Sequence, residues 1–415
     1  MTHKKKNANG VLAVIFFTVF LNLLSITIII PILAPFLLSP DSSVIETGTA
    51  FGNITIIIGL LKAAYPVSQF VGAPVLGAIS DRVGRKKVLF YSLMGSFIGY
   101  VTFALGIIYG NLWLLFFSRI LDGLTGGNIS VAYSAIADVS SNEEKSKNFG
   151  LIGAAFGLGF VIGPFIGGVC SDPDVVSWFG FDTPFWLSAI LVLVNIFLVW
   201  HIFPETLRKD DRVSKTPKFF GVYLRSFKLV RQHPMQYLFL VLFLSFFGYT
   251  FYTQFLDVFL IEKFDYSQSD IGILFGYLGI WISFSQGFLN RWASQKFASK
   301  YIVAFSLIGA AIVFFSILSI EEALFLYFIL PFNSILQGLN RPNLLSLISN
   351  GVGKSFQGQV MGASQSIQSL GIALPPIISG FIIALNINLP IIAGAVCFVV
   401  AWLVFVVYTF GRNKR

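Results

Sequence analysis

Long apolar runs alternate with short polar breaks along the whole chain. Twelve runs stand out, near residues 10–38, 54–79, 88–109, 111–138, 149–170, 183–203, 236–262, 270–292, 301–319, 323–349, 359–385 and 389–411. A helix needs about 20 apolar residues to cross a bilayer. The runs meet that length without the ten-residue alternation of barrel strands. Hydrocarbon offers no partner for a bare peptide group, so each run is expected to be a helix that closes its own hydrogen bonds. The first run follows Lys4, Lys5 and Lys6 and continues past any small-residue cleavage site. It reads as the first span, not as a removed signal peptide.

Composition narrows the class. Hydrophobic residues make up 56% of the 415 and charged residues 11%, with mean hydropathy +0.81. A soluble protein carries about 25% charged residues. The apolar share matches what twelve spans of about 20 residues consume, which leaves no room for a large soluble domain. A cytosolic enzyme, a nucleic-acid-binding protein and a single-span receptor are excluded on this ground. The sequence holds no nucleotide-binding GxxxxGK[ST] loop, no metal-ligand cluster and no catalytic constellation, so no cofactor is expected. Cys170 and Cys397 are too few for a disulfide framework.

Charge sets the orientation. With the N-terminus in the cytoplasm and the spans alternating, 24 of the 28 Lys and Arg fall on the cytoplasmic side. Lys263 falls outside, and Lys62, Arg119 and Arg341 lie within spans. This bias places both termini in the cytoplasm. The net charge of +9 then faces anionic lipid, not nucleic acid. The longest polar break, Pro204–Met235, holds eight Lys and Arg. It divides an N-terminal six-helix bundle (1–203) from a C-terminal one (236–415), with 204–235 as a cytoplasmic central loop. The halves look like repeats. Arg82 answers to Arg291, Phe149-Gly150 to Gln357-Gly358, and Pro164 to Pro375 or Pro376, all about 210 residues apart. Two related bundles around a midplane site follow the logic of alternating access.

Three motifs carry the chemistry. The break between the second and third runs reads Gly77-Ala78-Ile79-Ser80-Asp81-Arg82-Val83-Gly84-Arg85-Lys86-Lys87. Gly77 and Gly84 supply the turn, and Asp81 sits among four cations. The pattern resembles the cytoplasmic loop motif of the major facilitator superfamily. The resemblance implies an all-α membrane protein with 12 transmembrane helices in two pseudo-symmetric six-helix bundles. It also implies a conformational latch made by Gly77, Asp81, Arg82, Gly84, Arg85 and Lys86, which holds the halves together in the outward-open state. Asp138, ending the fourth run on the same side, joins that relay by resemblance and is placed to pair with Arg85. The alternative for Asp138 is a solvated acid at a helix C-terminus.

The fourth run holds Arg119-Ile-Leu-Asp122-Gly123-Leu-Thr-Gly126-Gly127-Asn128. Arg119, Gly123 and Gly126 share one helical face, which admits a close neighbour helix. Arg119 lies about seven residues, roughly 11 Å, from the outer end. The motif resembles the fourth-helix Arg motif of drug:proton antiporters, where the Arg is implicated in proton coupling. Asp122 departs from that motif. It is either half of a self-neutralising pair or a titratable carboxylate beside a fixed cation. The fifth run carries Gly153, Gly157, Gly159, Gly163-Pro164 and Gly167, a packing strip with a kink. It resembles the antiporter motif of the same superfamily, which correlates with export. Gln357-Gly358, Gly362 and Pro375-Pro376 resemble the eleventh helix of the tetracycline and multidrug efflux branch.

The resemblance also marks departures. The positions of the membrane carboxylates of tetracycline exporters in spans one, three and nine fall on Asn22, Gly99 and Gly309, so export by that mechanism is not expected. The membrane interior instead holds Lys62, Arg119 and Arg341 against Asp122 and Asp257. A cavity with Lys62 and Arg119 from one half and Arg341 from the other would suit an organic anion, such as a polycarboxylate metabolite or siderophore. Lys62 either lines that cavity or snorkels to the interface. Arg341 either lines it or ties helix-end carbonyls beside Pro342. Tyr249, Tyr252, Gln254, Tyr277, Trp281, Gln337 and Asn340 are candidate cavity residues of the C-terminal half.

The expectation is therefore a secondary transporter in the bacterial inner membrane, monomeric and embedded in a lipid bilayer. It moves a small-molecule substrate, with protons as the coupling ion and efflux as the direction. The competing solute is an organic anion, and the competing class is a non-transporting receptor.

Overall fold

The computed structural model describes residues 2–39, 42–46, 48–139, 145–207, 235–351 and 357–411. All regular structure among the described residues is helical. The eight cations of the central loop lie outside them. The first span is α1 (Thr2–Thr27) with α2 (Ile30–Leu38), the second α3 (Phe51–Val83) and the third α4 (Arg85–Ile108). The fourth is α5 (Leu112–Thr125), a 3-10 turn (Gly126–Asn128) and α6 (Ile129–Val139). The fifth, sixth and seventh are α7 (Lys145–Val169), α8 (Thr183–His201) and α9 (Met235–Phe264). The eighth is α10 (Gln268–Phe284), a π turn (Ser285–Leu289) and α11 (Asn290–Lys296). α12 (Ser299–Leu318), α13 (Leu326–Asn350), α14 (Gln357–Ile382) and α15 (Leu389–Gly411) complete the set. Among the described residues, eight spans are each long and apolar enough to cross a bilayer, and the first, fifth and eleventh hold shorter apolar helices.

Three spans expected to be continuous are broken, the first and fourth for a local reason and the eighth beside a contact with another helix. Pro31 has no N–H for the Thr27 carbonyl and its ring crowds that turn, so α1 ends at Thr27 and α2 restarts at Ile30. In the fourth span Gly126 and Gly127 weaken the α-turn, and the backbone tightens to 3-10. In the eighth, Ser285 Oγ donates to the Ile335 carbonyl of α13 at 2.7 Å where the turn widens to π.

The surface is that of a membrane protein. On α8 the residues Ile190, Leu193, Val194 and Phe197 recur at helical spacing and are all exposed. Such an apolar stripe is at home in lipid, not water. Tyr91, almost two turns into α4, and Tyr109, just past its end, are both exposed and 18 positions apart. At 1.5 Å per residue that is about 27 Å, close to the hydrocarbon thickness of a bilayer. Aromatic rings favour the two interfaces.

The chain groups into two compact units. The first comprises Met1–Thr49, Ala64–Phe219 and Ser267–Gly276; the second comprises Ala50–Ala63, Phe220–Tyr266 and Tyr277–Arg415. The N-terminal part of α3 is thus grouped with the second unit, and the N-terminal part of α10 with the first. Within the first unit, Gly159, Gly163 and Gly167 of α7 lie against Leu23, Thr27 and Ile28. Thr27 Oγ1 donates to the Gly159 carbonyl at 3.0 Å. Gly153 and Gly157 lie on the same helix. Gly123 and Gly127 bring the fourth span onto the backbone of Tyr65 and Ala73 in α3. Within the second unit, α9 packs on α14 and α15, and α12 packs on α13 and α15. Gly248 and Gly394 carry the α9–α15 contact: a Cβ on Gly394 would lie 2.8 Å from the Gly248 oxygen.

Candidate functional site

In the first unit, the loop motif gathers around Arg85. Its Nη1 donates to Asp81 Oδ1 at 2.5 Å and to Ser80 Oγ at 2.6 Å, and its Nε to Asp138 Oδ2 at 3.2 Å. Two carboxylates thus clamp one half-fixed guanidinium from two elements, the motif itself and the end of α6. Thr206 Oγ1 also donates to Asp138 at 3.1 Å. Lys86 Nζ donates to the Trp200 carbonyl at 2.7 Å. Gly84 has φ +108°, which L side chains rarely adopt. Gly77 lies against Ser130.

One member of this cluster was not anticipated. Glu205, just beyond α8, accepts the Arg85 backbone N–H at 2.8 Å and the Leu207 N–H at 3.1 Å. It caps α4 from 120 residues away. The signal was legible as an omission. α4 opens Arg85-Lys86-Lys87, with no acid in its first turn and no side-chain cap at Gly84, although a helix start leaves N–H groups in need of an acceptor. Glu205→Ala should therefore cost about 1 kcal/mol, seen as a lower melting temperature. Gly84→Ala should cost more, because it adds backbone strain and a Cβ that strikes the Glu205 carboxylate.

The deeper group of the first unit is a buried polar chain. Arg119 lies over the Tyr65 ring, 4.7 Å from its centroid. Its Nη1 stands 3.8 Å from Asp122 Oδ2, and both side chains are under 5% exposed. Its Nε has no hydrogen-bond partner. Tyr65 OH donates to Asn22 Oδ1 at 2.9 Å, and Asn22 Nδ2 donates to Asn128 Oδ1. Asn128 Nδ2 donates to Ser92 Oγ at 3.1 Å. Gln69 Nε2 reaches both Tyr65 OH, at 3.3 Å, and the Gly126 carbonyl, at 3.1 Å. The 3-10 turn is what makes this chain possible, since it presents Asn128 and the Gly126 carbonyl together. Gly99 leaves room for the acid: a Cβ there would lie 3.0 Å from Asp122 Cβ. The position the resemblance gave to a third-span carboxylate therefore faces the carboxylate that the fourth span supplies.

The second unit holds Lys62. Lys62 is grouped with Arg341, not with Arg119. Its Nζ lies 2.6 Å from Asp257 Oδ2, with side-chain exposures of 1% and 0%. It also donates to the Gln254 carbonyl and lies 5.0 Å from the centre of the Phe255 ring. It therefore does not run out to an interface. Asp257 Oδ1 accepts the Val258 N–H at 2.9 Å.

Arg341 Nη2 donates to Gln368 Oε1 of α14 at 3.0 Å and lies over the Phe246 ring, 5.1 Å from its centroid. Of the other named residues, Tyr252 is core: its ring lies tilted, 4.7 Å from that of Phe314, and it is 2% exposed. Tyr249 lies beside it at 6.2 Å. Tyr277 OH donates to the Tyr327 carbonyl at 3.2 Å, with Trp281 next to the ring. Gln337 Nε2 donates weakly to Asn333 at 3.4 Å. Asn340 is buried with Oδ1 unpartnered. Each unit thus encloses a buried cation beside a carboxylate: Arg119 with Asp122, and Lys62 with Asp257.

A family model described as Major Facilitator Superfamily matches residues 15–376. Tetracycline resistance protein, class C, of Escherichia coli is 29% identical over 388 residues, which cover 89% of each chain. Multidrug resistance protein 2 of Bacillus subtilis (strain 168) is 29% identical over 350 residues, or 82% of this chain and 84% of that one. Among solved structures, a bacterial homolog to the human lysosomal transporter Spinster, inward-facing and unoccupied, superposes with a TM-score of 0.76. It covers 98% of both chains at 14% identity, a likeness of fold alone.

Proposed function

Because the chain belongs to the major facilitator superfamily, and is thus an integral membrane transporter and not an enzyme, we propose that it exports an amphiphilic small molecule in exchange for protons by alternating access. The relatives named for tetracycline and multidrug resistance support efflux as the direction. The observation that carries proton exchange is the Arg119–Asp122 pair, buried and held on Tyr65.

Its chemistry follows from the two groups. A guanidinium keeps its charge under all physiological conditions, whereas a carboxylate can take a proton. At 3.8 Å the pair is looser than a direct hydrogen bond, so Asp122 can be protonated without breaking a tight fork. Protonation leaves Arg119 with uncompensated charge and with Nε still seeking an acceptor, which favours a state where water or solute reaches it. Loss of the proton restores the pair. Tyr65, Asn22, Asn128 and Ser92 extend the chain across four spans and transmit its geometry.

The Arg85 clamp with Asp81 and Asp138 serves as the conformational latch. The cations of the loop motif, the central loop and the termini put those segments on the cytoplasmic face of a bacterial inner membrane. The protein acts as a monomer in the bilayer.

The test is purified protein in proteoliposomes with an imposed pH gradient, assayed with solutes that raise its melting temperature. Flux that follows the gradient and stops in Asp122→Asn is the expected result. Absence of gradient-driven flux for every stabilising solute would overturn the reading. Asp81→Asn should shift the balance of conformers in a spin-label distance measurement, and an unchanged distribution would remove Asp81 from the latch.

A further inference from the structure

Two stretches of helix are grouped with the unit to which the rest of their helix does not belong: Ala50–Ala63 of α3 and Ser267–Gly276 of α10. Both are fastened by the same device. A Cβ on Gly59 would strike the Pro376 carbonyl oxygen of α14 and lie 3.2 Å from Gly380 Cα. A Cβ on Gly272 would lie 2.6 Å from the Pro164 oxygen of α7 and 2.7 Å from Gly168 Cα. The two contacts are repeats of one another. Gly59 and Gly272 are 213 positions apart, and Gly168 and Gly380 are 212 apart.

Charge separates them. Three residues beyond Gly59 comes Lys62, sealed against Asp257 and the Gln254 carbonyl of α9. The position 213 residues on from Lys62 is Phe275, buried and apolar. Glycine-on-backbone packing therefore suffices to seat such a stretch, and the ion pair is an addition to it. An addition of this kind brings little net stability, because desolvation offsets most of the attraction. An ionisable residue inside the membrane is costly unless it has work to do. What the pair does provide is reversibility. Its two charges cost little when paired in the dry contact and little when each is hydrated. An apolar pair would be favoured only in the dry contact.

We propose that Lys62 and Asp257 form a releasable charge latch, which seats residues 50–63 on the second unit and lets them leave it at low cost during the transport cycle. This rests on the alternating-access reading above, but its test does not pass through transport. The experiment is amide hydrogen exchange of the full-length protein in lipid nanodiscs, read on peptides from 50–63. Peptides from 267–276 serve as the internal control. In Asp257→Asn, Lys62 has lost its partner and is best served by water, so 50–63 should exchange at least threefold faster than in the parent. In the K62M/D257L double variant, which buries no lone charge, 50–63 should exchange at least threefold slower. The control peptides should not change in either. Should Asp257→Asn fail to fold, the double variant decides alone. Exchange at 50–63 within threefold of the parent, or a shift in the wrong direction, overturns the latch. A protein that passes this test and moves no solute would leave the latch standing and remove the proposed function instead.

Discussion

Lys62→Met on its own is expected to lower stability by about 3–5 kcal/mol, because it strands the Asp257 carboxylate in a buried, low-dielectric contact. Asp257 keeps neutral backbone N–H partners such as Val258, and these do not offset the loss of both water and the cation. The methionine fills the volume of the lysine stem, so packing is a minor part of the loss. Adding Asp257→Leu should return most of the stability, since a fully apolar pair carries no desolvation cost. The measurement is the melting temperature in detergent of the two single variants and the double. If the double variant were no more stable than the singles, the loss would come from packing and not from an orphaned charge.

Arg119→Ala should reduce gradient-driven flux by roughly a hundredfold, equivalent to about 3 kcal/mol at 1.4 kcal/mol per factor of ten. The substitution removes the Arg119 guanidinium from beside Asp122 and uncovers the Tyr65 ring at the head of the polar chain. Arg119→Lys should recover little. An ammonium cannot lie flat on the ring while reaching the carboxylate as a planar guanidinium does. Proteoliposome flux, normalised to the amount of folded protein, is the measure. Flux in Arg119→Lys close to the parent would show that charge alone suffices there and that the geometry on Tyr65 is incidental.

The loop motif was the most legible part of the candidate site. Asp81 and Arg85 are four residues apart on a short segment, so their pairing at 2.5 Å needs little from the rest of the chain. Asp138 was also within reach of the sequence, because two consecutive spans return it to the same side. Glu205 was less so, as it acts on α4 from a segment beyond α8. Lys62 shows the limit more sharply. Its partner lies 195 residues away, and no periodicity links the two. Placing it with Arg119 was a natural consequence of dividing the chain at the central loop. The compact units are instead interleaved through α3 and α10.

The chain by itself determined which segments are helices in a membrane, because apolar length and the need to close backbone hydrogen bonds are local requirements. It also determined where those helices weaken, since Pro31 and the Gly126-Gly127 pair act on their own turn. Only the tertiary structure decided which charges of distant helices meet. An ion pair depends on the separation of two side chains to within an ångström, and that separation is set by how distant helices pack. The glycines of α3, α7, α10 and α14 mark where helices come close, but their sequence spacing does not say against whom. The identity of its neighbour is what gave Lys62 its partner, Asp257, 195 residues away.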